Sequence, residues 1–198
     1  MRYEDEVKAD KDHKEWVAIS VVGRDRPGIV AGVSEVLFHS AYNIEALTQT
    51  AIMGQFAMIL IASRSGIETV TTLKDDLDGL AKDLGLEIHL RKLGSEDLVP
   101  YRHGETEPFV ITVHGEDRPG LVYGIAGILA EHGINITNLD AKVAFVSQRL
   151  EYIQVFLVDI PKDVDSVLLQ ERLRDRGKEM GVTVDLQHRQ IFQAINQL

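Results

Sequence analysis

The sequence predicts an α+β protein made of two tandem βαββαβ units, each an antiparallel sheet with its helices on one face. Three observations carry this. The phrase "GRDRPGIV" beginning at Gly23 returns as "GEDRPGLV" beginning at Gly115, an offset of 92 residues. At that offset, 11 of the 25 positions from Gly23 to Leu47 are identical in the two copies, where ordinary residue frequencies would give roughly one or two. The same succession of hydrophobic periods also surrounds the phrase each time.

Each element follows from its period. Val17, Ile19 and Val21 alternate with Ala18, Ser20 and Val22, and Phe109, Ile111 and Val113 repeat the pattern, so a strand leads into each turn. Beyond the turn, Ile29, Val30, Val33, Val36 and Leu37 fall at helical spacing, as do Leu121, Val122, Ile125, Ile128 and Leu129. "YNIEALTQTAI" and "INITNLDAKVA" read as second strands, "QFAMILIAS" and "EYIQVFLVDI" as third strands. Matching the third strands takes an offset of 96, which puts four extra residues in the second hairpin near Ser147. A second helix carries Val70, Leu73, Leu77, Leu80 and Leu84. Its counterpart keeps Leu169, Leu173 and Met180, but Arg176 takes an apolar position and Gly177 follows, which predicts a weaker or more exposed helix end. "LEIHLRKL" and "VTVDLQHRQ" are the final strands. This order is the ferredoxin-like plait, with right-handed crossovers. The expected boundaries are a charged segment at 1–15, a domain at 16–93, a linker at 94–107 and a second domain at 108–198 that includes a short C-terminal extension. Gly32, Gly124 and Gly127 are expected to let the first helix of each unit lie close to its sheet.

Composition narrows the function. The net charge of −10 divides into −4 up to Leu93 and −6 beyond it. Two acidic halves argue against direct nucleic-acid binding and against an anionic membrane surface. The absence of cysteine excludes disulfides, thiolate catalysis and thiolate metal sites. "MRYEDEVKADKDHKEW" has no apolar core of a signal peptide, and no apolar run is long enough to span a bilayer, so a cytoplasmic protein is expected. "GIVAGV" and "GLVYGIAG" lack dinucleotide-binding spacing, and there is no Walker A motif, nucleophile elbow or H-E-x-x-H. No two of the seven histidines are spaced as a metal pair on a helix; His114, beside the second turn, is expected to be exposed on the open sheet face, with approach to a ligand at that turn as the alternative. Asp75/Asp76 and Asp163/Asp165 are read as solvated carboxylates beside helix starts. No catalytic residue, metal or cofactor is expected, and the protein is not expected to be an enzyme.

The repeated turn has a chemistry of its own. Pro27 fixes φ and suits a helix start, Asp25 can cap the free N–H groups there, and Gly28 lets a ligand or another backbone approach closely. A helix N-terminus with exposed donors suits a small anion, including an amino-acid carboxylate. Asn43 and Asn135 each follow the turn glycine by fifteen residues and offer both a donor and an acceptor to a zwitterion. Each of these residues also has an ordinary structural use: caps, turns and helix ends employ the same set.

With "DRPGIV" or "DRPGLV" and a later "NI" in both copies, on a βαββαβ pattern, the chain resembles a tandem pair of ACT domains over about residues 16–93 and 108–190. In layout it is similar to the glycine cleavage system transcriptional repressor family, which has two such domains and no catalytic or recognisable DNA-binding domain. The resemblance implies an amino-acid-binding regulatory fold that associates through sheets and helices, with ligands between the first loop of one domain and a neighbouring domain. Carried over, the contacts are Asp25, Arg26, Pro27, Gly28, Ile29 and Asn43, and Asp117, Arg118, Pro119, Gly120, Leu121 and Asn135; the two sets need not both bind. It further implies a small amino acid such as glycine as ligand, a homodimer, and a protein partner through which amino-acid metabolism or its transcription is regulated. Two alternatives stay open. One is a ligand-free dimerising adaptor. The other is an RNA-binding plait, for which "MGQFAMILIA" supplies one aromatic, Phe56, while Met58 and Leu60 stand where further aromatics would be needed.

Overall fold

The computed structural model of the chain describes residues 14–66, 70–99, 104–146 and 149–196. The charged segment up to residue 13, residues 100–103 of the expected linker and the hairpin tip at Ser147 lie outside them. The chain divides after residue 100 into two compact units. The first contains β1 (Lys14–Arg24), α1 (Ile29–His39), β2 (Asn43–Ile52), β3 (Gln55–Ser65), α2 (Val70–Leu84) and β4 (Leu86–Leu93). The second contains β5 (Thr106–Gly115), α3 (Leu121–Glu131), β6 (Asn135–Val146), β7 (Arg149–Pro161), α4 (Ser166–Met180), β8 (Val182–His188) and α5 (Arg189–Asn196). Each has a four-stranded sheet, in the orders β2-β3-β1-β4 and β6-β7-β5-β8, with every paired neighbour antiparallel.

The alternation predicted for the first strands becomes one buried face. Val17, Ile19 and Val21 pack with Ile29, Val33 and Leu37 of α1 and Leu73 and Leu77 of α2. In the second unit Ile111 and Val113 pack with Leu121, Ile125 and Leu129 of α3, Leu169 and Leu173 of α4, and Phe156 and Val158 of β7. Each such aliphatic side chain removed from water contributes about 1.5–3 kcal/mol, so the repeated apolar spacing holds both plaits together. The edge strands β2 and β6 carry a bulge at the same place, between Ile44 and Ala46 and between Ile136 and Asn138.

One buried polar cluster belongs to the first unit. The Glu15 carboxylate accepts from Arg64 Nη2 at 2.7 Å, Tyr42 Oη at 2.9 Å and Lys92 Nζ at 2.9 Å, and the Arg64 guanidinium lies 4.7 Å over the Tyr42 ring. Burial pushes the Glu15 carboxyl up, but the hydrogen bonds from Lys92, Tyr42 and Arg64 pull it further down, and it ends below its ordinary value. Burial, then the bond to Glu15 and its charge, push the Tyr42 hydroxyl up to about 12.

Several local expectations are corrected. The last strand stops at His188 and the chain turns into α5. Asp75 and Asp76 sit in the middle of α2, whose start at Val70 carries no punctuation in the sequence. Asp165 does cap: its carboxylate accepts from the Val167 and Leu168 N–H groups at the start of α4. Gly32 and Gly124 face the partner helix rather than the sheet, since a side chain there would meet Leu80 or Met180 and Arg176, while Gly127 opens onto free space. Gly177 is buried, and a side chain there would meet the Val182 carbonyl at 2.9 Å, so the end of α4 is tucked onto β8 rather than frayed.

Candidate ligand-binding site

Both repeated turns have one backbone geometry. Gly28 caps α1 at φ 99° and Gly120 caps α3 at φ 94°, a left-handed conformation that favours glycine. No side chain caps either helix. The first helical bonds are Gly32 N–H to the Gly28 carbonyl and Gly124 N–H to the Gly120 carbonyl, each 2.8 Å. The N–H groups of Ile29, Val30 and Ala31, and of Leu121, Val122 and Tyr123, therefore precede the ladder and face outward at the positive end of the dipole. Nothing lies within 4 Å of where a side chain on Gly28 or Gly120 would stand.

The expected capping role of Asp25 is corrected by this geometry. Its backbone N–H donates to the Gly54 carbonyl at 2.9 Å, which ties the turn to the β2–β3 hairpin, and its exposed carboxylate leaves the helix donors uncapped. Pro27 likewise precedes the cap instead of occupying the first helical position, because Gly28 in the left-handed region already serves as the boundary. Ile29 and Leu121 are buried core residues.

The asparagines stand elsewhere. Gly23 is in register with Phe56 of β3, while Asn43 is in register with Ser63, which pairs Trp16. The turn and the asparagine are thus seven residues apart along β1, or about 23 Å at ~3.3 Å per residue. In the second unit Gly115 pairs Tyr152, whereas Asn135 pairs Asp159 and through it Pro108, the same separation. Within a unit, the turn set and its asparagine occupy opposite ends of the sheet. The Asn43 amide donates to Glu45 at 3.2 Å.

The two turns differ in charge. The first carries Arg24, Asp25 and Arg26, all exposed, and the arginines make no ion pair among the described residues. The second carries Glu116, Asp117 and Arg118, with Arg118 Nη2 bonded to Glu116 at 2.8 Å. That hydrogen bond and the guanidinium charge hold the Glu116 carboxyl below its ordinary value. His114 is exposed beside this turn, its Nδ1 3.7 Å from a Glu151 carboxylate oxygen. Phe56, the aromatic on which the RNA-binding reading depended, points into the helix-packed core and is 3% exposed. Among the described residues no group of three or more histidines or carboxylates is placed to hold a metal ion, and no helix is long and apolar enough to cross a membrane.

One residue of this region escaped the sequence reading. Gln154 of β7 is fully buried on the helix-facing side, in register with Val113, and neither its Oε1 nor its Nε2 has a hydrogen-bond partner. The sequence held a signal: at the third-strand offset of 96 it takes the place of Met58, a polar residue in a core phase.

Comparison with known proteins places this geometry in a class. The ACT-domain model matches residues 15–91 and again 107–187. The chain belongs to the ACT-domain family, a family of regulatory modules. It is 40% identical over 90 residues to a UPF0237 protein of Methanopyrus kandleri, a match spanning 45% of this chain and 96% of that protein. A UPF0237 protein of Methanocaldococcus jannaschii is 38% identical over 88 residues, 44% of this chain and 94% of the other. Among solved structures, an unknown protein from Galdieria sulphuraria matches 88% of this chain and 98% of its own at 25% identity, with a TM-score of 0.74. A protein provisionally named a glycine cleavage system transcriptional repressor shares the fold at 19% identity and a TM-score of 0.64, over 88% of this chain and 96% of that one.

Proposed function

We propose that this chain is a non-catalytic regulatory protein that binds a small amino acid, glycine or similar, at ACT-domain interfaces in a homodimer, and acts on amino-acid metabolism or its transcription through a protein partner. The observation that carries the reading is the uncapped helix start, present twice: a glycine cap with open space over it and three unused N–H donors that no side chain occupies. Such a start takes a carboxylate. The contacts are drawn from the two turns, Asp25 to Ile29 and Asp117 to Leu121, and the two sets need not both bind. Because Asn43 and Asn135 lie at the far end of their own sheets, an asparagine reaches the ligand from the ACT domain of a second copy. The edge strand β2, exposed along nearly all its length, supports such pairing.

A thermal-shift screen of the full chain against the twenty amino acids tests the reading. A ligand at 100 times its Kd stabilises the native state by about 2.7 kcal/mol. One or two small amino acids should raise the melting temperature, and Asn43→Ala or Asn135→Ala should reduce the shift. If no amino acid moves it, the ligand-free adaptor is the better reading, for which the same exposed edge speaks.

A further inference from the structure

We infer that the two turns are not equivalent and that the second one is the working site, with Gln154 as its specificity-determining residue for a small α-amino acid. This rests on the amino-acid-binding reading above and goes further by choosing the site and the residue that reads the ligand.

The geometry is local to the second unit. β5 leads through Glu116–Gly120 straight into α3, so the first turn of α3 lies over the end of the sheet that holds Val113. Val113, Leu121 and Ile125 share one core cluster. Gln154 pairs Val113 on the same face, at the end of the sheet from which β5 enters the turn to α3. A carboxamide there, fully buried with both polar atoms unpartnered, is costly and rare in a native core. The helix start above it carries the free N–H groups of Leu121, Val122 and Tyr123 and the open space at Gly120. The two features complement each other chemically. The helix donors and the Gln154 Nε2 donate to a carboxylate, while the Gln154 Oε1 accepts from an ammonium group. An α-amino acid presents both groups two bonds apart, and a side chain no larger than that of serine suits so buried a partner.

The first unit lacks this floor. Met58 occupies the corresponding place, is 3% exposed and belongs to the apolar core. Its turn keeps the backbone form without a group to read an ammonium. Duplication has left one reading site and one that retains the turn for folding.

Isothermal titration of the full chain with glycine, alanine and serine, and with leucine as an oversized control, tests the assignment. Gln154→Met installs the residue of the first copy at nearly equal volume. It is expected to leave the unliganded melting temperature unchanged or raised, while weakening binding at least ~10-fold, as befits loss of bonds to a charged group. Arg24→Ala, at the exposed start of the first turn and outside both contact sets, should bind as the wild type does. Wild-type binding that survives intact in Gln154→Met overturns this inference and leaves the amino-acid-binding reading standing. Wild-type binding lost in Arg24→Ala assigns the first turn and overturns it as well. No binding of any of these amino acids to the wild type removes both.

Discussion

Replacing helical glycines by alanine one at a time should give effects of opposite sign, ordered by what each missing side chain would touch. In a helix interior alanine is favoured over glycine by about 1 kcal/mol. At Gly79 and Gly127 nothing lies within 4 Å of the new methyl, so both variants should gain up to that amount. At Gly32 the methyl would meet Leu80 Cδ1 at 2.9 Å, and at Gly124 Met180 Sδ at 2.5 Å. Both obstacles are ends of flexible side chains, so propensity and crowding should nearly cancel. At Gly177 the obstacles are Val184 Cγ2 at 2.7 Å and the backbone carbonyl of Val182 at 2.9 Å. A carbonyl in the sheet cannot rotate away. Overpacking of that kind costs about 1–3 kcal/mol, so Gly177→Ala should be net destabilising by about 1 kcal/mol. Differential scanning calorimetry reads the series, since 1 kcal/mol moves the melting point of a domain this size by about 4–8 °C. A Gly177→Ala variant as stable as Gly127→Ala would refute the reasoning, for it would mean that α4 is free to lift off β8.

The remaining predictions concern the buried cluster and the turns. Glu15→Gln should destabilise by about 3 kcal/mol, because it breaks an ion pair whose side chains are 10% and 4% exposed, and chemical denaturation at neutral pH checks this. The folded Glu15 carboxyl lies below its ordinary value of 4.5. Its contribution is therefore present above that pH and lost as pH falls through the lower folded value, a loss that Glu15→Gln should not show in an acid titration of stability. Tyr42, raised from 10.0 to about 12, contributes below pH 10, and stability should fall as pH rises through that interval, less so in Tyr42→Phe. Gly28→Ala and Gly120→Ala should each cost about 1–2 kcal/mol through backbone strain alone, since φ is 99° and 94° and no atom obstructs the methyl. Equal melting points for wild type and both variants would contradict the left-handed caps.

Much of the fold was legible because short-range rules made it so. Alternating Val17, Ile19 and Val21 can bury one face only as a strand, and Ile29, Val33 and Leu37 can do so only as a helix. The limits of β2 and β3 and the end of α2 also came close to their expected places, since Asn43, Gly54, Ser65 and Gly85 punctuate them. The candidate site was less legible. Asp25, Pro27 and Gly28 were all compatible with a helix start, but which of them caps is decided by the backbone conformation at Gly28, and Asp25 instead bonds through its N–H to Gly54, a hairpin residue 29 positions on. The Glu15–Arg64 pair joins residues 49 apart, and no local pattern announces it.

By itself, then, the sequence determined the duplication, the order of elements and the family, because these are written in periodicity and in a repeated phrase. The tertiary structure alone decided three further things: that each turn and its asparagine lie at opposite ends of a sheet, that Gly32 and Gly124 face a partner helix, and that Gln154 is buried unpartnered opposite Val113 where Met58 stands opposite Val21 in the first unit. Each of these depends on strand register and on which face a residue takes once the layers close. Register is fixed by pairing between distant segments, and the identity of a residue does not state its partner.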